Sequence, residues 1–368
     1  MKPQKNQNKK SRVLLAMSGG VDSSVAGLLL KKQGYEVIGA FMVNWSDTKN
    51  KITGECSWRE ERRMAIKIAA KLGIKFITLN FEREYKKNVV DEMFKNYKKG
   101  ITPNPDIDCN QKIKFPLLIN EAKKLKCNFI ATGHYAKIKK SKKKFELHRA
   151  KDESKDQSYF LYRLNQEHLQ KALFPVGDCT KKEIREIARK NNFPNWDKKG
   201  TVGICFIGKI NLKEFLQKKI KPKKGNILNP EGEIIGEHDG IYYYTIGQRI
   251  GPKFGIEINK KEKRKRRWYV AKKDLKKNLI VVAPESHELN FRKEIIIKNP
   301  HWINEKPKNN LKVFSRIRQV GELLPSKLEY KNGKYKIILN KAITGISQGQ
   351  AIVLYQGTRC LGGGKIGG

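Results

Sequence analysis

From residue 12 the chain alternates short apolar runs with longer amphipathic ones. Residues 13–17 form an apolar run, a Ser/Gly turn follows, and 25–33 carry apolar positions at helical spacing. Residues 36–44 (EVIGAFMVN) predict a second strand, 57–72 a charged amphipathic helix, 75–81 a third strand, and 128–132 a strand that runs into Gly133-His134. Strands alternating with helices predict an α/β fold, a doubly wound parallel sheet with helices on both faces. Functional loops of such sheets lie at the carboxyl ends of the strands. The turn after Met17, the segment after Val43 and Gly133-His134 all fall there.

Beyond about residue 210 the texture changes to short alternating runs separated by Gly, Asn and Pro, at 241–246, 268–271, 279–283, 312–317, 335–339 and 351–355. Asn332-Gly333, set between two such runs, is a tight-hairpin signal, since the pair supplies two positive φ angles. The C-terminal third therefore predicts an all-β region ending in a small barrel. The resulting division is a disordered basic leader at 1–10, a catalytic domain at 11–210, a small central mixed or β domain at 211–285 and a C-terminal β-barrel at 286–368. The basic block 260–267 (KKEKRKRR) reads equally as an RNA-facing loop or a solvated one.

Composition sharpens this picture. Hydrophobic residues make up 38% of the chain, enough for real cores. Lys and Arg number 79 against 36 Asp and Glu, a net charge of +43. Such an excess points to a polyanionic partner, nucleic acid first, although drift toward surface lysine would also contribute. No apolar stretch approaches the roughly 20 residues that span a bilayer, and the first ten residues are polar, so a soluble cytoplasmic protein is expected. The six cysteines form no C-x-x-C pair, which argues against structural zinc or an iron–sulfur cluster. In a reducing cytoplasm each is a small buried residue or a reactive thiol.

The most informative stretch is VLLAMSGGVDSS at 13–24. An apolar strand enters Ser18-Gly19-Gly20-Val21-Asp22-Ser23 and a helix follows. Two glycines let the backbone approach a ligand, and serine hydroxyls stand at a helix N-terminus whose dipole favours an anion. The stretch lacks the Gly-Lys-Ser/Thr ending of the common nucleotide loop. Asp22 could hold magnesium on bound phosphates. A turn that merely caps a helix is the bland alternative. The stretch resembles the PP-loop of the ATP pyrophosphatase superfamily, whose members cleave ATP between the α and β phosphates and place AMP on a substrate oxygen.

Two cysteines have distinctive settings. Cys109 lies in TPNPDIDCNQKIKF at 102–115, where Lys112 and Lys114 could stabilise a thiolate. Cys205 lies in the apolar, glycine-punctuated GTVGICFIG at 200–208. Together with ATGHYAK, SKDQSYFLY, LFPVGD, GEHDG, YTIGQRIG and CLGGGKI, these motifs resemble the tRNA-specific 2-thiouridylase family, in order and over nearly the whole chain.

The resemblance implies a sulfurtransferase that uses ATP, Mg2+ and a persulfide on Cys205 to thiolate the wobble uridine of tRNAs for Lys, Glu and Gln. A sulfur-relay protein or cysteine desulfurase would supply the sulfur, and the enzyme would act as a monomer. It implies an ATP site of Ala16, Met17, Ser18, Gly19, Gly20, Val21, Asp22, Ser23, Met42 and Gly133. Asn104, Pro105 and Asp106 would meet the target base, with Asp106 giving or taking a proton and His134 beside the RNA. Lys155, Asp156, Gln157, Arg316, Ile317 and Gln350 match tRNA-contacting positions. Cys109 matches the nucleophile and Cys205 the persulfide carrier.

Three departures stand out: Thr201-Val202 where the family commonly has Ser-Thr, Ile317 where an aromatic is usual, and an altered glycine pattern at 250–256. Two other readings stay open on the sequence. A lysidine-type PP-loop ligase would explain the loop and the charge but needs neither cysteine, and a non-catalytic basic RNA-binding protein would explain the charge alone.

Overall fold

The computed structural model describes residues 11–47, 56, 58–200, 203–208, 210–251, 267–319 and 321–367. The predicted leader, the basic block up to residue 266, Thr201 and Val202 lie outside the described residues.

The first part of the chain carries strands β1 (Arg12–Ala16), β2 (Glu36–Val43), β3 (Lys75–Asn80), β4 (Phe129–Ala131), β5 (Ala136–Ser141), β6 (Lys144–Arg149) and β7 (Ala172–Leu173). Five of them form a parallel sheet in the order β3-β2-β1-β4-β7. Val13, Leu14 and Leu15 at its centre are fully buried, as a strand covered on both faces requires. Leu14, Ala40 and Met42 face one core layer, shared with the helical segments between Glu82 and Lys124. Val13, Leu15 and Phe41 face the other, closed by helices Val21–Lys32, Trp58–Leu72 and Lys181–Lys190. The sheet is thus doubly wound, as expected.

Two wide π turns interrupt the helices of the first layer, Lys86–Val90 and Asn110–Lys114. The second follows Cys109 directly and ends at Lys114. Its i→i+5 bonding brings residues five apart toward one side of the helix, where regular α spacing would splay them.

A second sheet joins β8 (Gly225–Leu228), β9 (Ile234–His238), β10 (Arg249–Ile250), β11 (Trp268–Asp274) and β12 (Leu279–Pro284) in the order β10-β11-β12-β8-β9. The strand predicted at 241–246 is instead a 3-10 turn, Ile241–Tyr243. Its aromatic positions serve as anchors: the Tyr243 hydroxyl donates to the Ile220 carbonyl at 2.5 Å and Tyr244 to Asp239 at 2.7 Å.

The third sheet contains β13 (Phe291–Trp302), β14 (Leu311–Arg316), β15 (Leu324–Lys331), β16 (Lys334–Thr344), β17 (Ala351–Gln356) and β18 (Arg359–Ile366), all antiparallel, and pairing of β13 with β18 closes it into the expected barrel. Asn332 (φ +51°) and Gly333 (φ +73°) make the predicted hairpin turn between Lys331 and Lys334. The β5–β6 hairpin, though it follows β4 in the chain, lies outside the first sheet and joins the barrel, β6 pairing with β18.

A buried ion pair also ties these two regions, Arg316 Nη1 lying 2.6 Å from Asp156 Oδ2, with side chains 5% and 0% exposed. Ile317 is buried in the barrel core, which explains how an aliphatic residue is tolerated there. Asp156, Arg316 and Ile317, matched above to tRNA contacts, therefore point inward. Their positions join two domains, and only Lys155 of that group is exposed.

Candidate active site

The loop after β1 has the form its sequence dictates. Gly20 caps helix Val21–Lys32, and the hydroxyls of Ser23 and Ser24 both donate to its carbonyl at 3.0 Å. Ser18 N–H donates to Ser23 Oγ at 3.2 Å, closing the loop on itself. Gly19 has φ +74°, and a Cβ there would lie 2.3 Å from the Glu61 carbonyl oxygen. Gly133 allows a second close approach, since a Cβ would sit 2.7 Å from Ser23 N. Backbone and hydroxyl groups at this helix N-terminus fit a phosphate chain. Ala16 continues β1 beside Ala40, Met17 and Val21 are buried beneath the loop, and Met42 lies buried near the end of β2.

Asp22, expected to hold magnesium, is engaged by two neighbours. Both carboxylate oxygens accept from Lys181 Nζ, at 2.6 and 2.8 Å, and Tyr135 OH donates to Oδ1 at 2.6 Å. The carboxylate is thus occupied by a lysine, and the described residues contain no group of three or more metal-ligating side chains. Lys181 was not foreseen: in KKEIREIARK it reads as one more surface lysine. Asn195, 1% exposed, was also missed; its Nδ2 donates to the Gly19 carbonyl at 2.9 Å and steadies the loop.

The two cysteines meet. Cys109 and Cys205, 96 positions apart, have their sulfurs 4.0 Å apart, and both thiols are free. Asn104 caps helix Pro105–Cys109 through Ile107 N–H, with Pro105 at its first position, so Cys109 sits at the end of a short, well-started helix. Cys205 lies in the turn bridged by Ile204 and Gly208, where Phe206 adopts φ +67°. Such a backbone for an aromatic residue persists only where surroundings enforce it. Here Tyr85 stacks edge-on against Phe206 at 5.9 Å and donates its hydroxyl to the Cys205 carbonyl at 2.5 Å, while Asp106 Oδ1 accepts the Cys205 N–H at 2.8 Å.

Lys114 is the electrostatic centre. Its Nζ lies 3.8 Å from Cys205 Sγ, 3.0 Å from Asn110 Oδ1 and 3.4 Å from His134 Nε2. Burial works against its charge, but Cys205, Cys109 and Asp106 together hold its pKa above the ordinary lysine value. The hydrogen bond from Cys109 lowers the Cys205 thiol below its usual range against the effect of burial, and Lys114 adds to the lowering. Burial and the bond to Cys205 push Cys109 well up. The pair is therefore asymmetric, with Cys205 the more acidic thiol.

Of the two lysines expected to stabilise a Cys109 thiolate, Lys114 does lower that thiol, but burial and the bond to Cys205 outweigh it. Lys112 pairs with Asp108 at 3.3 Å, and the π turn delivers Lys114 to Cys205. Burial and Lys114 hold His134 well below its usual value. Because lysine only donates, Nε2 accepts and the Nδ1–H of the neutral ring donates to Thr132 Oγ1 at 2.7 Å. Burial raises the Asp106 carboxyl.

Replacing Lys114 with methionine is expected to slow reactions of the Cys205 thiolate at neutral pH by about 10–100-fold, through loss of thiolate. Since Cys205 would then ionise at higher pH, the rising limb of the rate–pH profile should move alkaline and part of the rate return there. An unmoved profile would refute this role.

The remaining matched residues brace the site. Gln350 Nε2 donates to the carbonyls of Thr102 (3.1 Å) and Pro103 (2.9 Å), so the barrel grips the segment entering Asn104-Pro105-Asp106. Gln157 Oε1 accepts from Tyr135 N–H at 3.0 Å.

Three family models match consecutive parts of the chain: the tRNA methyl transferase HUP domain over residues 11–209, the tRNA methyl transferase PRC-barrel domain over 213–284, and the aminomethyltransferase beta-barrel domain over 292–366. A tRNA-specific 2-thiouridylase of Methylobacillus flagellatus is 43% identical over 361 residues, 97% of this chain and 99% of that protein. One of Aliarcobacter butzleri is 43% identical over 365 residues, 98% and 99%. That of Lactobacillus helveticus is 40% identical over 365 residues, 98% and 96%.

Proposed function

We infer the reaction from kinship: the chain belongs to the tRNA-specific 2-thiouridylase family, and it is a sulfurtransferase that acts on tRNA uridine. The lysidine-type and non-catalytic readings fall with that membership.

The proposed course begins with ATP on the loop Ser18–Ser23. A uracil C2 carbonyl holds a poor leaving group, so its oxygen attacks the α-phosphorus, pyrophosphate departs, and the adenylated oxygen becomes able to leave. Cys205, the more acidic thiol, attacks the outer sulfur of a persulfide on a donor protein; the donor's S–S bond breaks, its thiolate leaves, and Cys205 carries the persulfide. The terminal persulfide sulfur adds to C2 and AMP leaves. Cys109 then attacks Cys205 Sγ, the S–S bond to the product breaks, and 2-thiouridine is released with a Cys109–Cys205 disulfide, which a thiol reductant reopens.

The observation that carries this reading is the thiol pair, 4.0 Å apart, with Lys114 beside Cys205. Asp106, its carboxyl pKa raised by burial, is placed beside Cys205 to give or take the proton that accompanies transfer. Magnesium would ride on the ATP phosphates, since Asp22 is engaged by Lys181. The acceptors are the wobble uridines of tRNAs for Lys, Glu and Gln, with the base flipped out of the anticodon stack. Lys155 remains a tRNA contact in this proposal. The working unit is a cytoplasmic monomer divided at about residues 210 and 285. Among the described residues no helix is long and apolar enough to cross a membrane.

Nucleoside mass spectrometry of those tRNAs from cells with and without the protein tests the proposal. Loss of the 2-thio group at the wobble position is expected; its persistence would sink the reading.

A further inference from the structure

Three orphaned polar atoms stand together where β2 ends. Asn44 is 1% exposed, and neither its Oδ1 nor its Nδ2 has a hydrogen-bond partner; the indole Nε1 of neighbouring Trp45 is buried and unpaired as well. Among the described residues, Asn44 is the one side chain with both polar ends orphaned. Burying an amide unpaired costs more than a typical hydrogen bond returns, so a chain that keeps one there requires an explanation.

Its place in the sheet suggests one. Along β2, Ile38, Ala40 and Met42 face the core that contains Cys109 and Tyr85, whereas Val37, Phe41 and Val43 face the opposite layer. Asn44 follows directly on β2, two residues beyond Met42, and its neighbour Trp45 joins the same core as Met42; the pair stands at the carboxyl end of the strand, where ligands of such sheets bind. The adjacent strand, β1, feeds the phosphate loop. An aliphatic residue would satisfy packing at this position, yet the position holds an amide. A carboxamide sets a donor beside an acceptor in one plane, the complement of a nucleobase edge. It makes two bonds to adenine, or pairs with the N3–H and a carbonyl of uracil.

We propose that Asn44 is a specificity-determining residue that holds a nucleobase edge in the thiolation site and contributes nothing to the empty fold. The proposal rests on the thiolation reading above. Both substrates of that reaction carry such an edge, the adenine of ATP and the uracil of tRNA, and measurement separates the two.

The test compares Asn44→Leu with the parent protein in three measurements: the thermal midpoint without ligand, affinity for ATP alone, and affinity for an unmodified tRNA transcript. The expected result is a midpoint unchanged or raised, because no protein partner is lost, together with a fall of roughly 10–100-fold in affinity for ATP or for tRNA. A loss on ATP assigns the adenine, and a loss on tRNA assigns the uracil. A lowered midpoint, or both affinities within about twofold of the parent's, overturns the proposal. If the leucine variant does not fold, Asn44→Ala carries the same comparison with the same outcomes. A parent protein that bound neither ATP nor tRNA would instead refute the thiolation reading itself.

Discussion

Replacing Cys205 with serine is expected to reduce 2-thiouridine formation to background while leaving tRNA affinity within about twofold. A serine hydroxyl cannot accept a sulfane sulfur, so the carrier step is lost outright. Position is retained, because the bonds that fix this residue reach its backbone: Asp106 accepts from its N–H and the Tyr85 hydroxyl donates to its carbonyl. Serine inherits both contacts, and the turn keeps its shape. Cys109→Ser serves as the companion. It should still load sulfur on Cys205 but stall at release, so that persulfide accumulates on the protein. Thionucleoside mass spectrometry and persulfide labelling separate the two variants, and normal thiolation by the Cys205 variant would overturn the assignment.

The second large effect concerns the join between catalytic domain and barrel. Asp156→Ala is expected to destabilise the protein by about 3–5 kcal/mol, the range for removing one partner of a buried ion pair. The aspartate also accepts from Ala150 N–H and from the backbone and hydroxyl of Ser158; its removal orphans the two backbone donors besides stranding Arg316, while the Ser158 hydroxyl keeps Tyr355. Combining Asp156→Ala with Arg316→Met should recover part of the loss, because no lone charge then stays buried. Urea denaturation of the single and double variants measures this. A single variant within about 1 kcal/mol of the parent would show that the pair carries little, and a binding defect without loss of stability would return Asp156 and Arg316 to the RNA.

What the sequence reveals and what it hides divide along physical lines. The phosphate loop is legible because its demands are local: two glycines, serines at a helix start and an apolar strand before them all lie within a dozen residues. The Asn332-Gly333 hairpin is legible for the same reason. The partner of Lys114 is not. Sequence proximity favours Cys109, but the π turn at Asn110–Lys114 rotates the lysine onto Cys205, and no residue type marks such a turn.

Motif matching likewise identifies Asp156 and Arg316 without saying whether they face solvent. Their pairing across 160 positions emerges only once the barrel is docked. At 241–246, alternation mimics a strand because tyrosines serve as hydrogen-bonding anchors there. The link from Lys181 to Asp22 spans 159 positions and is equally silent in the chain.

The pairing of β6 with β18 has a consequence for synthesis. The hairpin leaves the ribosome more than two hundred residues before its partner strand, since His148 and Leu147 await Arg359 and Cys360. Until the last segment emerges, β6 presents unpaired backbone groups along one edge, a template for unwanted strand addition. The outer strand, β5, has the opposite character, with Lys137, Lys139 and Lys140 along its length. Charge thus guards the edge that stays open for good, and the temporary edge depends on prompt completion of the chain or on a chaperone that covers it meanwhile.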